Sequence, residues 1–336
     1  MGVGPLLNEN GDLAEKGYAF SLVKEYSRKQ IAVRKSRIKE WDYYYVGNKL
    51  YGVALTIADN GYMSMVSASI LDFRNKMDTT VSFIGWFPLG KVNLPSTSVT
   101  GDSTWKGKGY DFAFLHEGKS RHLICRIEKF GKKKELFHCD ILLEESIDGS
   151  MVIATPFKKK GRFYYNQKIN CLKAHGYAKL GSEVYDFNEG SYGVLDWGRG
   201  VWTYKNTWYW SSLSSEQDGH ILGFNLGYGF GDTSAASENM LFLDGKAYKI
   251  DDVFMEIPLT SRGEDFLSPW RFHSSTGEVN LTFTPILDRH SDTNLLILRS
   301  NQHQVFGTFS GTLVFDGKTF EIKDLPGFAE KVFNKW

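Results

Sequence analysis

Asn60-Gly61, Asp218-Gly219, Asp244-Gly245, Thr276-Gly277 and Asp316-Gly317 each separate a pair of runs rich in β-branched and aromatic residues. Glycine in such a dipeptide accepts the positive φ that a tight hairpin demands, so this punctuation commits the chain to antiparallel strands. Residues 43–57 and 62–73 flank the first of these turns, and 111–116, 122–130 and 136–143 continue a meander, followed by 151–155, 163–168 and 171–180. A second series starts near Tyr192 and runs through 207–213, 221–226, 239–243, 246–249, 253–257, 270–273, 279–284, 304–313 and 318–323. Helical spacing is scarce. It predicts an irregular turn or short helix within 14–36, and a short C-terminal helix over 327–336 that packs Phe328, Val332 and Phe333. The expected fold class is mainly β, built as antiparallel barrels with few short helices.

Composition supports that reading and removes several functions. Aromatic residues make up 15% of the chain, and there are 34 glycines against 8 prolines, which suits many short curved strands. Forty Lys and Arg against 39 Asp and Glu leave a net charge of +1, which gives no overall electrostatic reason to expect nucleic acid or an anionic membrane. The clustered lysines, Lys132 to Lys134 and Lys158 to Lys160, read as solvated loop edges. No apolar stretch approaches the ~20 residues of a membrane helix, so no stable membrane insertion is expected. The N-terminus lacks a basic region followed by an apolar run. Cys125, Cys139 and Cys171 are odd in number and widely spaced, which suggests free thiols and a cytoplasmic protein.

The two strand series open alike, Glu40-Trp41-Asp42-Tyr43-Tyr44 in the first and Trp208-Tyr209-Trp210-Ser211 in the second. With 336 residues, this predicts two domains, 1–185 and 186–336.

Three clusters could carry chemistry. In the first, Asp196, Trp197, Arg199 and Trp202 are followed closely by Trp208 and Trp210. This is either a pocket wall of rings with an acid or guanidinium aimed at a polar atom, or a Trp-rich core between domains with a structural Asp196–Arg199 pair. In the second, strand alternation places Glu40, Asp42 and Tyr44 on one face and Trp41 and Tyr43 on the other. The third is a glycine-rich segment around Phe224 to Asp232. It lacks the strand–loop–helix setting of a phosphate loop, so its glycines are expected to thin a barrel wall while Asn225, Glu238 and Asn239 offer polar contacts. Trp270 and His273 add an aromatic strand with one titratable ring. HExxH, paired CxxC, Gly-x-Ser-x-Gly and dinucleotide motifs are missing, so no metal and no cofactor are expected.

Glu40-Trp41-Asp42-Tyr43-Tyr44, Asp196-Trp197-Gly198-Arg199-Gly200, Trp208-Tyr209-Trp210-Ser211-Ser212, Phe224-Asn225-Leu226-Gly227, Glu238-Asn239, Pro269-Trp270 and 280–285 together resemble a bacterial protein family known as DUF2804. The resemblance extends from about Leu6 to Phe328. More distantly the layout is similar to the AttH/carotenoid-hydratase superfamily. That resemblance implies two lipocalin-like (calycin) barrels around a ligand cavity and activities such as hydration or cyclisation of lipophilic substrates. Here the relatives' central acid pair is replaced by Asp196 with Arg199.

The leading expectation is a small-molecule hydratase/dehydratase or cyclase/isomerase acting on a lipophilic or aromatic substrate. Asp196, Glu40 or Asp42 would be general acid or base and Arg199 would orient it. Trp41, Tyr44, Trp197, Trp202, Trp208, Trp210, Trp270 and His273 would line the cavity with Asn225, Glu238 and Asn239. Two other readings stay open: a carrier of a hydrophobic metabolite, and a protein that binds or acts on carbohydrate, taking a glycosidic ligand.

Overall fold

The computed structural model describes residues 1–295 and 298–335. Antiparallel pairing dominates, in one sheet of 13 strands and another of 9. The first runs from the edge strand Met77–Trp86 through Met63–Asp72, Tyr51–Asp59 and Ile38–Gly47. It then takes in Tyr192–Val201, Phe163–Leu180, Glu135–Glu144, Ser120–Phe130, Tyr110–Glu117 and Ser103–Gly107. The central path of the second is His220–Tyr228, Lys205–Gln217, Lys318–Lys335, Leu298–Phe315 and Val279–Leu295.

Each sheet curls around its own apolar interior as a lipocalin-like half-barrel. Leu55, Phe112, Phe137, Tyr165 and Trp197 fill the first; Phe224, Trp270, Phe283 and Phe309 fill the second. The sheets also pack against each other, through Tyr45, Trp210, Phe306 and Phe328 on one side and Tyr164, Trp202, Phe230 and Phe242 on the other. Strands at this junction are therefore buried on both faces, and every residue of Tyr192–Val201 is buried.

The strand assignments bear on three expectations, and overturn the first. The C-terminal segment is not a helix but the end of the strand Lys318–Lys335, paired on both sides with Leu298–Phe315 and Lys205–Gln217; Trp336 lies outside the described residues. Two barrel interfaces need its apolar residues, and a strand reaches both. Within 14–36 the only helical turns are the 3-10 turns Arg28–Gln30 and, overlapping its end, Lys35–Arg37. Finally, the sequence division at 185/186 leaves Tyr192–Val201 with the second half, yet that strand pairs with Phe163–Leu180 and Ile38–Gly47; the chain crosses to the second sheet between Val201 and Lys205.

A bulge fastens the sheets together. Pairing of Phe163–Leu180 with Tyr192–Val201 slips between Ile169 and Leu172, where Cys171 has φ 58°. The bulge turns Asn170 toward the second sheet, so that its Nδ2 donates to Ser212 Oγ (2.8 Å) and to the Phe224 carbonyl (2.9 Å), while the Cys171 N–H donates to Ser214 Oγ (2.9 Å).

Candidate active site between the sheets

The central strands of both sheets enclose a cavity of about 110 Å³ at their junction. Trp41, Tyr164, Lys168, Asp196 and Trp202 come from the first sheet and the residues that end it; Trp208, Trp210, Glu330, Glu238 and Phe230 come from the second and its loops. Alternation along each strand decides which residues reach it. Asp196 and Gly198 face the junction, whereas Trp197 and Arg199 turn into the first barrel's interior. Gly198 makes room for Trp41, because a Cβ would fall 1.9 Å from Trp41 Cζ2 and the ring would have to move. Gly227 does the same for Glu238, whose Cδ lies 2.8 Å from where a Cβ would be.

The walls are rings, mostly in edge contact, with Trp41 and Tyr164 stacked at 6.0 Å. Phe230 stands at 88° to both Tyr164 (4.7 Å) and Trp202 (4.9 Å), and Trp202 meets Trp41 at 5.1 Å. Against this apolar lining sit one cation and three carboxyl groups. Lys168 Nζ donates to Asp196 Oδ2 at 2.7 Å and lies 3.8 Å from the Trp210 ring centre. Asn166 Nδ2 donates to Asp196 Oδ1 at 2.6 Å. Glu330 accepts from Trp208 Nε1 and Gln304 Nε2, each at 3.0 Å. Trp210 Nε1 donates to Asn225 Oδ1 (2.7 Å), and the Asn225 amide donates to the Glu238 carbonyl (2.7 Å).

With one lysine among three acids, burial dominates the two glutamates. It pushes Glu238 up to about 7, aided by Asp196 and opposed by Lys168. Burial pushes Glu330 up to about 7 as well, against the Trp208 hydrogen bond and Lys168 and with Asp196 adding to the rise. Burial also drives the Tyr164 phenol well above its ordinary range. At neutral pH the cavity thus holds carboxylic acid and carboxylate side by side, which is what proton transfer to an apolar substrate requires.

Residues 2–336 match the family described as a domain of unknown function, DUF2804. The chain belongs to the DUF2804 family. No curated protein sequence matches it. Among solved structures it is similar to an AttH-like protein of Nitrosomonas europaea, at 14% identity over 91% of this chain and 95% of that one, with a TM-score of 0.51. It is similar also to kievitone hydratase of Nectria haematococca, at 10% identity over 99% and 98% of the two chains, with the same TM-score of 0.51. At these identities the likeness is one of fold.

Within this DUF2804 fold the residues expected from sequence divide sharply. Asp196, Trp41, Trp202, Trp208, Trp210 and Glu238 meet at the cavity. Asn225 stands behind it, holding Trp210. The expected Asp196–Arg199 pair does not form, since residues an odd number apart on a strand point to opposite faces. Arg199, wholly buried, instead pairs with Asp42 at 3.0 Å, donates to the Trp41 and Pro95 carbonyls (2.7 Å each) and lies 4.2 Å from the Trp197 ring centre. Glu40 is held inside the first barrel by Tyr26 (2.7 Å) and Arg28, and Tyr44 packs on Phe114 there. None of Glu40, Asp42, Tyr44, Trp197 and Arg199 lines the cavity. Asn239 bonds the Gly227 N–H and the Asp251 carbonyl, each at 2.8 Å. Trp270 belongs to the second barrel's core, and His273 lies half-buried against Phe254 and 3.8 Å from Glu256.

Sequence reasoning missed Lys168, Tyr164, Phe230 and Glu330. No local signal marks the two charged ones: Lys168 follows Asn166 and Gln167, and Glu330 precedes Lys331 in a strand that carries several other charges. Among the described residues no His, Cys, Asp and Glu group is arranged to hold a metal ion.

Proposed function

We propose that this chain is a small-molecule enzyme of the hydratase/dehydratase or isomerase type, using the junction cavity for proton transfer to a lipophilic substrate. The observation that carries the reading is the pair of buried glutamates, Glu238 and Glu330, raised to about 7 in a tryptophan-lined cavity beside the Lys168–Asp196 pair. The fold neighbour named as a hydratase points the same way.

Glu238 is the general acid. Both oxygens of Glu330 already accept hydrogen bonds from Trp208 and Gln304, and the Glu238 carboxyl is less encumbered. Protonation of a carbon–carbon double bond by Glu238 leaves a cation, which the faces of Trp41, Trp208 and Trp210 stabilise. In hydration, water adds to that cation and loses a proton to the Asp196 carboxylate; in isomerisation, Asp196 takes a proton from the adjacent carbon instead. Lys168 fixes Asp196, and Glu330 holds Trp208 in place.

The test is untargeted mass spectrometry of a metabolite extract incubated with the protein, alongside Glu238→Gln and Asp196→Asn. The reading predicts a compound consumed by the wild type alone, with a product that differs by one water or is isomeric. Consumption unchanged in both variants overturns it.

A further inference from the structure

Strand register shows what lies at the two ends of the first sheet. Ile38 pairs with Val201 and Val201 with Phe163, while Met63 pairs with Trp86. The segments 27–37, 59–62, 86–91 and 156–163 therefore gather at one end. Hydrogen bonds join them: Leu89 N–H to the Gly61 carbonyl (3.2 Å), Phe87 N–H to the Tyr62 carbonyl (2.8 Å) and Gly90 N–H to Asp59 Oδ2 (2.7 Å). Gly61 in turn backs onto the Lys35 carbonyl.

This end exposes large apolar side chains. Trp86 is 66% exposed and Phe87 63%, with Ile84 and Leu89 also open to solvent. Phe87 and Leu89 both take φ 53°, a conformation that bulky residues avoid. Strain at Phe87 and Leu89, both of which present apolar side chains to water, marks a surface with a partner. Around the apolar tip stand Lys29, Arg34, Lys35, Arg37 and Lys91, at least partly open to solvent. The segment 27–37 carries no acidic residue. Lys158 to Lys160 extend the same rim, offset by Asp12, which lies 3.6 Å from Lys160, and by the exposed Asp232, whose N–H bonds the Pro156 carbonyl. Glu40 and Asp59 at this end are buried and engaged with Arg28. Lys132 to Lys134, by contrast, join strands at the opposite end, where Phe137 pairs with Leu180. The net charge of +1 thus conceals a cationic pole.

We propose that this pole docks on the surface of an anionic lipid bilayer, with Trp86, Phe87 and Leu89 entering the headgroup region and the surrounding cations meeting lipid phosphates. Tryptophan and phenylalanine tips ringed by lysine and arginine suit an interface that is charged outside and apolar beneath. A nucleic acid offers no place for Ile84 and Leu89. The docking does not depend on the proposed function, but it would serve it. Trp41, Tyr164 and Trp202 lie toward this end of their strands, and Phe157 of the rim packs on Phe230 at 5.2 Å, so part of the cavity wall lies toward the same end.

The test is co-sedimentation of the full chain with phosphatidylcholine vesicles, with or without about one-third phosphatidylserine. Binding is expected only with the anionic lipid, and it should weaken as salt rises. Arg34→Glu/Lys35→Glu/Arg37→Glu should lower partitioning by about a hundredfold or more. Lys132→Glu/Lys133→Glu/Lys134→Glu, the same charge change at the far end, should leave it intact. Trp86→Ser/Phe87→Ser should weaken binding while the circular dichroism spectrum and Tm stay close to those of the wild type. Equal binding to both vesicle types, an equal loss in the far-end variant, or no loss in the aromatic variant overturns the proposal. So does retention on RNA in place of vesicles. Loss of turnover in Glu238→Gln with vesicle binding unchanged keeps the two readings separate.

Discussion

Glu238 and Glu330 carry the sharpest consequences at the level of single residues. Each ordinarily titrates near 4.5 and is raised to about 7 in the fold, so the folded chain holds more protons than the unfolded chain between these values. Stability is then greatest at and below pH 4.5 as far as these groups are concerned, and it declines as pH rises through 7. Glu330→Gln should flatten that decline and raise stability at pH ~8 by on the order of 2 kcal/mol, as urea titrations at several pH values would register. Glu238→Gln should flatten it too, and should lower turnover by about 10²–10⁴-fold, the usual worth of a general acid. A variant as pH-sensitive as the wild type would mean that the carboxyl is not buried as described. Gly198→Ala makes a steric test of the same site. Its Cβ would collide with Trp41, so the ring must swing out at a cost of about 1–3 kcal/mol, with altered tryptophan emission and weakened ligand binding. At this scale the sequence was half legible. The tryptophans and Asp196 stood out because charged and aromatic residues rarely cluster without a use. Glu40 and Asp42 misled, because a central strand buried on both faces looks alike from either side, and only the register reveals that they point into the first barrel.

Among the elements, the hairpins were readable because their turns need glycine, and Gly219, Gly245, Gly277 and Gly317 all take positive φ. The C-terminal strand was not. Phe328 faces the junction and Ala329 the second barrel's core, so both sides of Lys318–Lys335 carry buried residues and the alternation that marks a strand vanishes. The bulge at Asn170 and Cys171 was equally invisible, since nothing local distinguishes it from an ordinary strand. Its role is testable. Asn170 is buried and spans the two sheets, so Asn170→Ala abandons a serine hydroxyl and a backbone carbonyl at once. A loss of about 2–3 kcal/mol is expected, seen as a drop of several degrees in Tm by calorimetry. If the sheets separate as units, the transition should also broaden or split. A single sharp transition with unchanged Tm would assign the bulge no role in holding the sheets together.

For the whole molecule, the arrangement explains why the site could not be assembled from sequence: its acids come from two strands and a loop far apart in the chain, joined only because two curled sheets meet back to back. The same meeting limits what the site can accept. A cavity of about 110 Å³ admits roughly one six-membered ring, whereas pockets for larger organic ligands run to ~300–1,000 Å³. Either the ligand is small, or some of the wall yields. Phe230 is the wall residue on which that choice is tested. It is a single ring between Gly229 and Gly231, both at positive φ, and it closes the cavity by edge contacts with Tyr164, Trp202 and Trp208. Neither glycine can take a side chain without meeting backbone, at Thr207 for one and Pro156 for the other, so the loop holds Phe230 at a fixed place in the wall. Phe230→Ala removes the plug without disturbing Lys168, Asp196 or the glutamates. It should cost about 2–4 kcal/mol of stability as lost packing. It should also shift selectivity toward longer ligands, measured as Kd for a series of n-alkyl aromatic compounds by calorimetric titration. Tighter binding of the longer members with little change for the shortest identifies Phe230 as the residue that sets substrate length. A uniform weakening across the series makes it a packing residue only, and the cavity volume is then the substrate's true limit.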